Sequence, residues 1–281
     1  MRWVKAKYKD EAFLEEVSQS IHQTDTLKLW WLGQSGFLIQ YNGIHLLIDP
    51  YLSDSLTIKY ASSSKPHVRL CEKVIDPAKL DFIDIVTSSH NHTDHLDADT
   101  LVPLFNANPG ITFIIPEANR AFVTQRVNKP LNFPIGLNDG QSVEIKGINF
   151  TGIPSAHNEL ERDENGRCRY MGYVIRIGEK KIYHSGDTLL FPRMIDLLNP
   201  FDIDLAILPI NGNDPSRAVA GNLNSDEASR LAKDIGAKLV IPCHYDMFAF
   251  NTADVSQFIW ACERLDVQYK VMDIGGCFQL D

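Results

Sequence analysis

The sequence predicts an α/β protein in which two mixed sheets pack face to face with helices outside, four layers in one domain over residues 1–281. Three observations predict it. Short β-rich runs alternate with amphipathic segments along the whole chain. Polar turns rich in His and Asp follow directly on several of those runs. A chain of 281 residues, 44% of them hydrophobic, suffices for one large core. No composition break marks a linker, and no internal sequence repeat stands out.

Taken in order, Ala12, Phe13, Leu14, Val17 and Ile21 recur at helical spacing and predict a helix from Asp10 to His22. Leu27–Leu32 and Gly36–Tyr41 read as strands, and Asn42-Gly43 is a hairpin dipeptide because both residues tolerate positive φ. Trp30 and Trp31 fall in the first strand, where alternation sends one ring inward and the other outward. Ile44–Ile48 is the return strand. It ends at Asp49-Pro50, where proline cannot donate to a ladder and pushes Asp49 towards an extended conformation. Phe82–Ser88 is a β-rich run that leads straight into the polar turn SSHNHTDHLD. A helix after Asp97, a strand at Ile111–Ile115, a helix near Glu117–Val127 and strands between Ser142 and Gly152 continue the alternation. Residues Ala156 to Arg169 are too hydrophilic for core and read as a loop beside the site. Strands at Tyr170–Ile177, Lys181–His184, Asp204–Pro209 and Lys238–Pro242, with a helix at Ser225–Ile235, complete the pattern.

The formal charge, 27 basic minus 36 acidic residues or −9, argues against electrostatic binding to nucleic acid or an anionic membrane. No apolar run reaches the length of a spanning helix, and the amino terminus breaks into charges before any signal-like apolar region, so the expectation is a soluble, cytoplasmic protein. Cys71, Cys168, Cys243, Cys262 and Cys277 are far apart and odd in number, which fits neither a disulfide framework nor a thiolate metal site.

Chemistry concentrates at His90, His92, Asp94 and His95. Imidazoles two residues apart on an extended turn can point to one side while Asp94 and His95 project elsewhere. Four candidate ligands within six residues exceed what one ion takes from one segment, so two adjacent ions explain the cluster better. His157 after GIPSA, Asp187 after KIYHSG and His244 after LVIPC each stand just beyond a predicted strand and complete a set.

In this order, with Asp49 ahead of them, these residues resemble the motifs of the metallo-β-lactamase superfamily over nearly the whole chain. The resemblance implies a four-layer αββα sandwich. It also implies one metal held by His90, His92 and His157, another held by Asp94, His95 and His244, and Asp187 bridging both. Asp49 would be structural. The thiolate lactamase branch has cysteine in place of Asp187, flavodiiron enzymes have glutamate in place of His92, and the RNA-processing nucleases add a basic arm or inserted domain absent here. The stretches LWWLGQSGFLI, IYHSGDT, LVIPCHYDMF and DIGGCFQL are most similar to the L-ascorbate-6-phosphate lactonase branch. The N-acyl-phosphatidylethanolamine phospholipase D branch shares the metal set, but nothing in the sequence suggests a membrane-facing helix.

The resulting expectation is a hydrolase with two divalent ions, Zn2+ or Mn2+, in which a bridging hydroxide opens a phosphorylated sugar-acid lactone. Asp94 would orient the nucleophile or accept its proton. His184 and Tyr245 are candidate donors to the leaving alkoxide, and Arg169 is a candidate for binding a substrate phosphate. Asn211 and Asn213, in the turn PINGNDP, are candidate substrate contacts. His22, His45 and His67 have no ligand-like context and stay outside the site. A phosphodiesterase acting on small cyclic or diester phosphates is the alternative. A metal-stabilised binding protein without turnover is the remote one. The expected partner is a small anionic metabolite, with no nucleic acid and no membrane, and self-association is left open.

Overall fold

The computed structural model describes residues 3–21 and 23–281. Helix α1 (Glu11–Ser20) buries Phe13 and Val17. The predicted end of that helix, His22, lies outside the described residues. Strands β1 (Leu27–Gly33), β2 (Gly36–Tyr41) and β3 (Ile44–Ile48) form an antiparallel meander. Its second turn is the predicted one: Asn42 and Gly43 have φ of 49° and 75°. The short helix α2 (Ser55–Lys59), β4 (Ile85–Thr87), α3 (Ala98–Ala107), β5 (Thr112–Pro116), α4 (Arg120–Arg126) and β6 (Ile135–Leu137) follow. The second half runs β7 (Ser142–Ile145), β8 (Ile148–Pro154), β9 (Met171–Ile177), β10 (Lys180–His184), α5 (Met194–Leu198), β11 (Leu205–Pro209), α6 (Ser225–Asp234), β12 (Leu239–Cys243), α7 (Val255–Leu265) and β13 (Cys277–Leu280).

These strands form two sheets, in the orders β13-β1-β2-β3-β4-β5-β6 and β12-β11-β10-β9-β8-β7. Each sheet joins an antiparallel meander to a parallel extension: β3 to β6 are parallel in one, and β10 to β12 in the other. Helices provide the parallel crossovers, since the chain must return the full length of a strand before it can pair in parallel. Buried side chains from both sheets form a contiguous core, the expected mixed α/β sandwich.

A sheet covered on both faces changes what alternation means. Trp30 and Trp31 are both buried, at 0% and 2% exposure, so neither ring points to solvent as the strand pattern predicted. Strand β11 is buried at every residue for the same reason. Asp49 also departs from expectation: its φ of 42° is left-handed rather than extended, and hydrogen bonds to its side chain accompany that turn. The polar stretch after Ala156 folds back on itself, with Arg162 bridged to Cys168 and ion-paired to Asp139 at 2.9 Å.

Helix α6 starts in a complete capping box, Asn224 accepting from the Glu227 amide while Glu227 accepts from that of Asn224. It packs on α7, where Ser229 Oγ lies 3.2 Å from Cys262 Sγ. Among the described residues, no helix is long and apolar enough to cross a membrane.

Candidate metal centre

The predicted ligands stand at the carboxyl ends of four strands: His90, His92, Asp94 and His95 after β4, His157 after β8, Asp187 after β10 and His244 after β12. Loops at such strand ends converge because neighbouring strands of the two packed sheets end at one rim. The β4 loop closes on itself, the His92 carbonyl accepting from the amides of His95 and Leu96. Arg126 of α4 braces that loop, Nη1 donating to the carbonyls of Asn91 (2.8 Å) and Leu96 (3.2 Å). His244 has φ of 63°, rare for a residue with a Cβ, and its amide donates to the Gln34 carbonyl at 3.0 Å.

Three groups of donor atoms lie within 4.8 Å of one another: His90, His92 and His157; His90, His95 and Asp187; and Asp94, His95 and His244. The Asp187 carboxylate stands between them. Its Oδ1 is 3.3 Å from His95 Nε2, and its Oδ2 is 3.5 Å from His157 Nε2 and 3.2 Å from His244 Nε2. Asp94 Oδ2 is 3.4 Å from His244 Nε2.

A layer of hydrogen bonds behind these groups sets which nitrogen faces inward. Buried Asp49 accepts from His95 Nδ1 at 2.6 Å and from the Ser89 amide at 2.8 Å, and it also pairs with Ser89 Oγ. His157 Nδ1 donates to the Gly221 carbonyl at 2.8 Å, and His90 Nδ1 lies 3.0 Å from Ser89 Oγ. With Nδ1 engaged, each ring turns Nε2 to the centre. Gly186 makes room for this layer: at φ 60° its missing Cβ would stand 2.7 Å from the Ser89 Cβ.

The donor set fits divalent cations. Among the described residues His90 Nε2, His95 Nε2 and Asp187 Oδ1 are buried without a hydrogen-bond partner, an arrangement that is costly unless a cation takes their lone pairs. Burial pushes His90 well below the ordinary histidine range and His157 down to about 4, so both are neutral donors at pH 7. Burial acts the same way on His244, but the Asp187 and Asp94 carboxylates outweigh it and raise it to about 9. Burial opposes ionisation of Asp187 too, yet His244 and His95 beside it hold it well below the usual carboxylate range.

The remaining predicted site residues are not brought to this centre. His184 is fully buried, with Nε2 3.0 Å from the Ser35 carbonyl and Nδ1 accepting from the Gly186 amide, so neither nitrogen is free to give a proton to a substrate. Tyr245 is buried against Trp31, ring centroids 4.7 Å apart, and does not line the cavity. Arg169 pairs with Glu161 at 3.1 Å and does not line the cavity. Asn211 is a buried strut, donating to Asn251 and accepting from Asn222, while Asn213 is exposed in its turn and packs beneath Gly221. These five departures share one cause: position in the sequence does not determine which way a side chain leaves its element.

The cavity over the centre has a volume of about 410 Å³. His92, Asp94, His157, Asp187 and His244 form its floor. Of the polar stretch after Ala156 only His157 reaches it, and the rim comes instead from α2 and the 218–220 turn. Sequence reasoning missed Gln34, Lys59, His67, Arg126 and Tyr170. His67, set aside for want of a ligand-like context, stacks on Tyr60 with centroids 4.3 Å apart and lines the cavity, and Tyr170 packs 5.3 Å from His90. No spacing rule marks these residues, since each arrives from a different element.

Residues 45–245 match the model of the beta-lactamase superfamily domain. The chain belongs to the metallo-β-lactamase superfamily. This member is 30% identical over 260 residues to a UPF0173 metal-dependent hydrolase of Methanosarcina mazei, covering 90% of this chain and 99% of the relative. It is 28% identical to N-acyl-phosphatidylethanolamine-hydrolyzing phospholipase D 1 of Caenorhabditis elegans, covering 93% and 78% of the two chains. Igni18, a metallo hydrolase from Ignicoccus hospitalis, shares the fold with a TM-score of 0.67 at 23% identity, over 91% of this chain and 99% of that one. The superfamily fold and these relatives make the protein a metal-dependent hydrolase, and the reading as a binding protein without turnover falls.

Proposed function

We propose that this hydrolase works with two divalent ions and cleaves a small anionic ester, a phosphodiester first of all. The observation that carries the dinuclear reading is Asp187, whose single carboxylate lies within 3.5 Å of His157 from one expected ligand set and of His95 and His244 from the other. His90, His92 and His157 would hold one ion, Asp94, His95 and His244 the other, and Asp187 both. Zn2+ and Mn2+ each suit mixed imidazole and carboxylate donors. When bound, such a pair lowers the pKa of water to about neutrality and polarises the ester oxygen.

The chain's own residues supply the rest. Asp94 is the more open of the two carboxylates, its side chain 17% exposed against 3% for Asp187, and it is placed to take a proton from an attacking water. Arg126 is half-buried, lines the cavity and forms no ion pair among the described residues, and Lys59, exposed at the rim, forms none there either. Two such cations in a chain of net charge −9 favour an anionic substrate. They take over the role that the sequence suggested for Arg169.

The phosphodiester reading is supported by the relative named for hydrolysing a phospholipid, 28% identical over most of this chain. A second reading, opening of a phosphorylated sugar-acid lactone, is supported by the stretches LWWLGQSGFLI and LVIPCHYDMF and by the same two cations. Hydrolysis of bis(p-nitrophenyl) phosphate and of L-ascorbate 6-phosphate by Mn2+-reconstituted protein separates them, with His92→Ala as the blank. Diester cleavage lost in the variant supports the first reading. Preferential lactone opening lost in the variant moves the protein to the second, and activity that survives full metal removal defeats both.

A further inference from the structure

Gln34 follows β1, far in sequence from every predicted ligand, yet its side chain ends inside the centre. It is fully buried and sits at φ 50°, with its carbonyl accepting from Trp31 Nε1 and from the His244 amide, both at 3.0 Å. The backbone is thereby tied to the His244 turn. Its Nε2 donates to Asp94 Oδ2 at 2.7 Å and lies 3.0 Å from His244 Nε2. The amide therefore touches two of the three groups that would hold the second ion.

The other end of the amide is in a different situation. Gln34 Oε1 is buried with no hydrogen-bond partner among the described residues. A buried amide oxygen without a donor is unfavourable, and an NH2 group beside a cation is more so. Half a turn about the last side-chain torsion exchanges the two ends. It would bring the orphaned oxygen to the side where Asp94 Oδ2 and His244 Nε2 converge. Asp94 Oδ2 accepting from Gln34 is an interaction that an ion at the same place would replace.

We propose that Gln34 belongs to the second metal position, its amide holding Asp94 in the metal-free protein and presenting Oε1 to the ion in the loaded one. This rests on the dinuclear reading above. Carboxamide oxygen is a hard donor suited to ions such as Mn2+.

Calorimetric titration of chelator-stripped protein with Mn2+, with bound metal counted by elemental analysis, tests the assignment in wild type, Gln34→Leu and Gln34→Glu. Two equivalents are expected in wild type. In Gln34→Leu the first should bind as before, which also reports that the variant is folded, and the second about 10- to 100-fold more weakly. Gln34→Glu decides between an oxygen facing the ion and a mere donor to Asp94. If the oxygen faces the ion, glutamate binds the second equivalent at least as tightly as wild type; if the residue only donates, the new carboxylate repels Asp94 and weakens it. Wild-type binding of both equivalents by Gln34→Leu, or a weakened second equivalent in Gln34→Glu, overturns the proposal. A wild-type protein that binds one equivalent overturns the dinuclear reading itself.

Discussion

Asp49 is not within the three donor groups, yet it orients one of their members and the serine behind another through His95 Nδ1 and Ser89. A buried carboxylate behind a ligating imidazole fixes the tautomer and raises the basicity of the inward nitrogen. Asn tolerates the left-handed backbone that Asp49 adopts, so Asp49→Asn removes the charge with little change in local conformation. The expected outcome is a 10- to 100-fold weaker metal affinity, read by competition with a chromogenic chelator. Unchanged affinity would mean that Ser89 alone orients the ring. Arg126 offers a parallel case, since its guanidinium both braces the β4 loop and opens on the cavity, two duties a sequence cannot separate.

Turns and caps divide the elements into those that hold the centre and those that only hold the fold. Gly186 stands in the turn that presents Asp187, where an added Cβ would meet Ser89 Cβ at 2.7 Å and the Met171 carbonyl at 2.8 Å with φ at 60°. Gly186→Ala should cost about 2 kcal/mol or more from the backbone strain and the contact together, and it should lower metal occupancy as well. Asn224→Ala removes one arm of the α6 capping box and touches none of the three donor groups, so it should cost about 1 kcal/mol with metal binding unchanged. Thermal melts beside metal analysis of the two variants check the contrast. Equal metal loss in both would show that the centre responds to global stability rather than to the Asp187 turn.

For the molecule as a whole, metal binding and stability are linked. In the metal-free protein burial disfavours charge on His244, but the Asp187 and Asp94 carboxylates raise it to about 9, above the ordinary histidine value it has unfolded. A group raised in this way contributes stability that is fully present below the unfolded value and is lost as pH rises through about 9. Chelator-treated protein should therefore melt at progressively lower temperature from pH 7 to pH 10. Added metal at neutral pH should raise the melting temperature, since ions that bind only the folded state stabilise it by mass action. A metal-free melting temperature that does not fall across that range would contradict the assigned proton.

The strand meanders, the Asn42-Gly43 hairpin, the α3 start after Asp97 and the convergence of His90, His92, Asp94, His95, His157, Asp187 and His244 were legible in the chain alone. Periodicity, turn chemistry and ligand types are local properties, so they survive without coordinates. Short pieces such as β6 and α2 escaped because three to five residues carry too little pattern. The tertiary structure decided everything that depends on direction. It buried both Trp30 and Trp31, left His184, Tyr245, Arg169, Asn211 and Asn213 outside the cavity lining, and brought Lys59, His67 and Arg126 to the cavity and Gln34 to Asp94 from four separate segments. Residue type and spacing determine which groups a chain possesses, whereas the packing of two sheets, both faces covered, determines which of them share one volume.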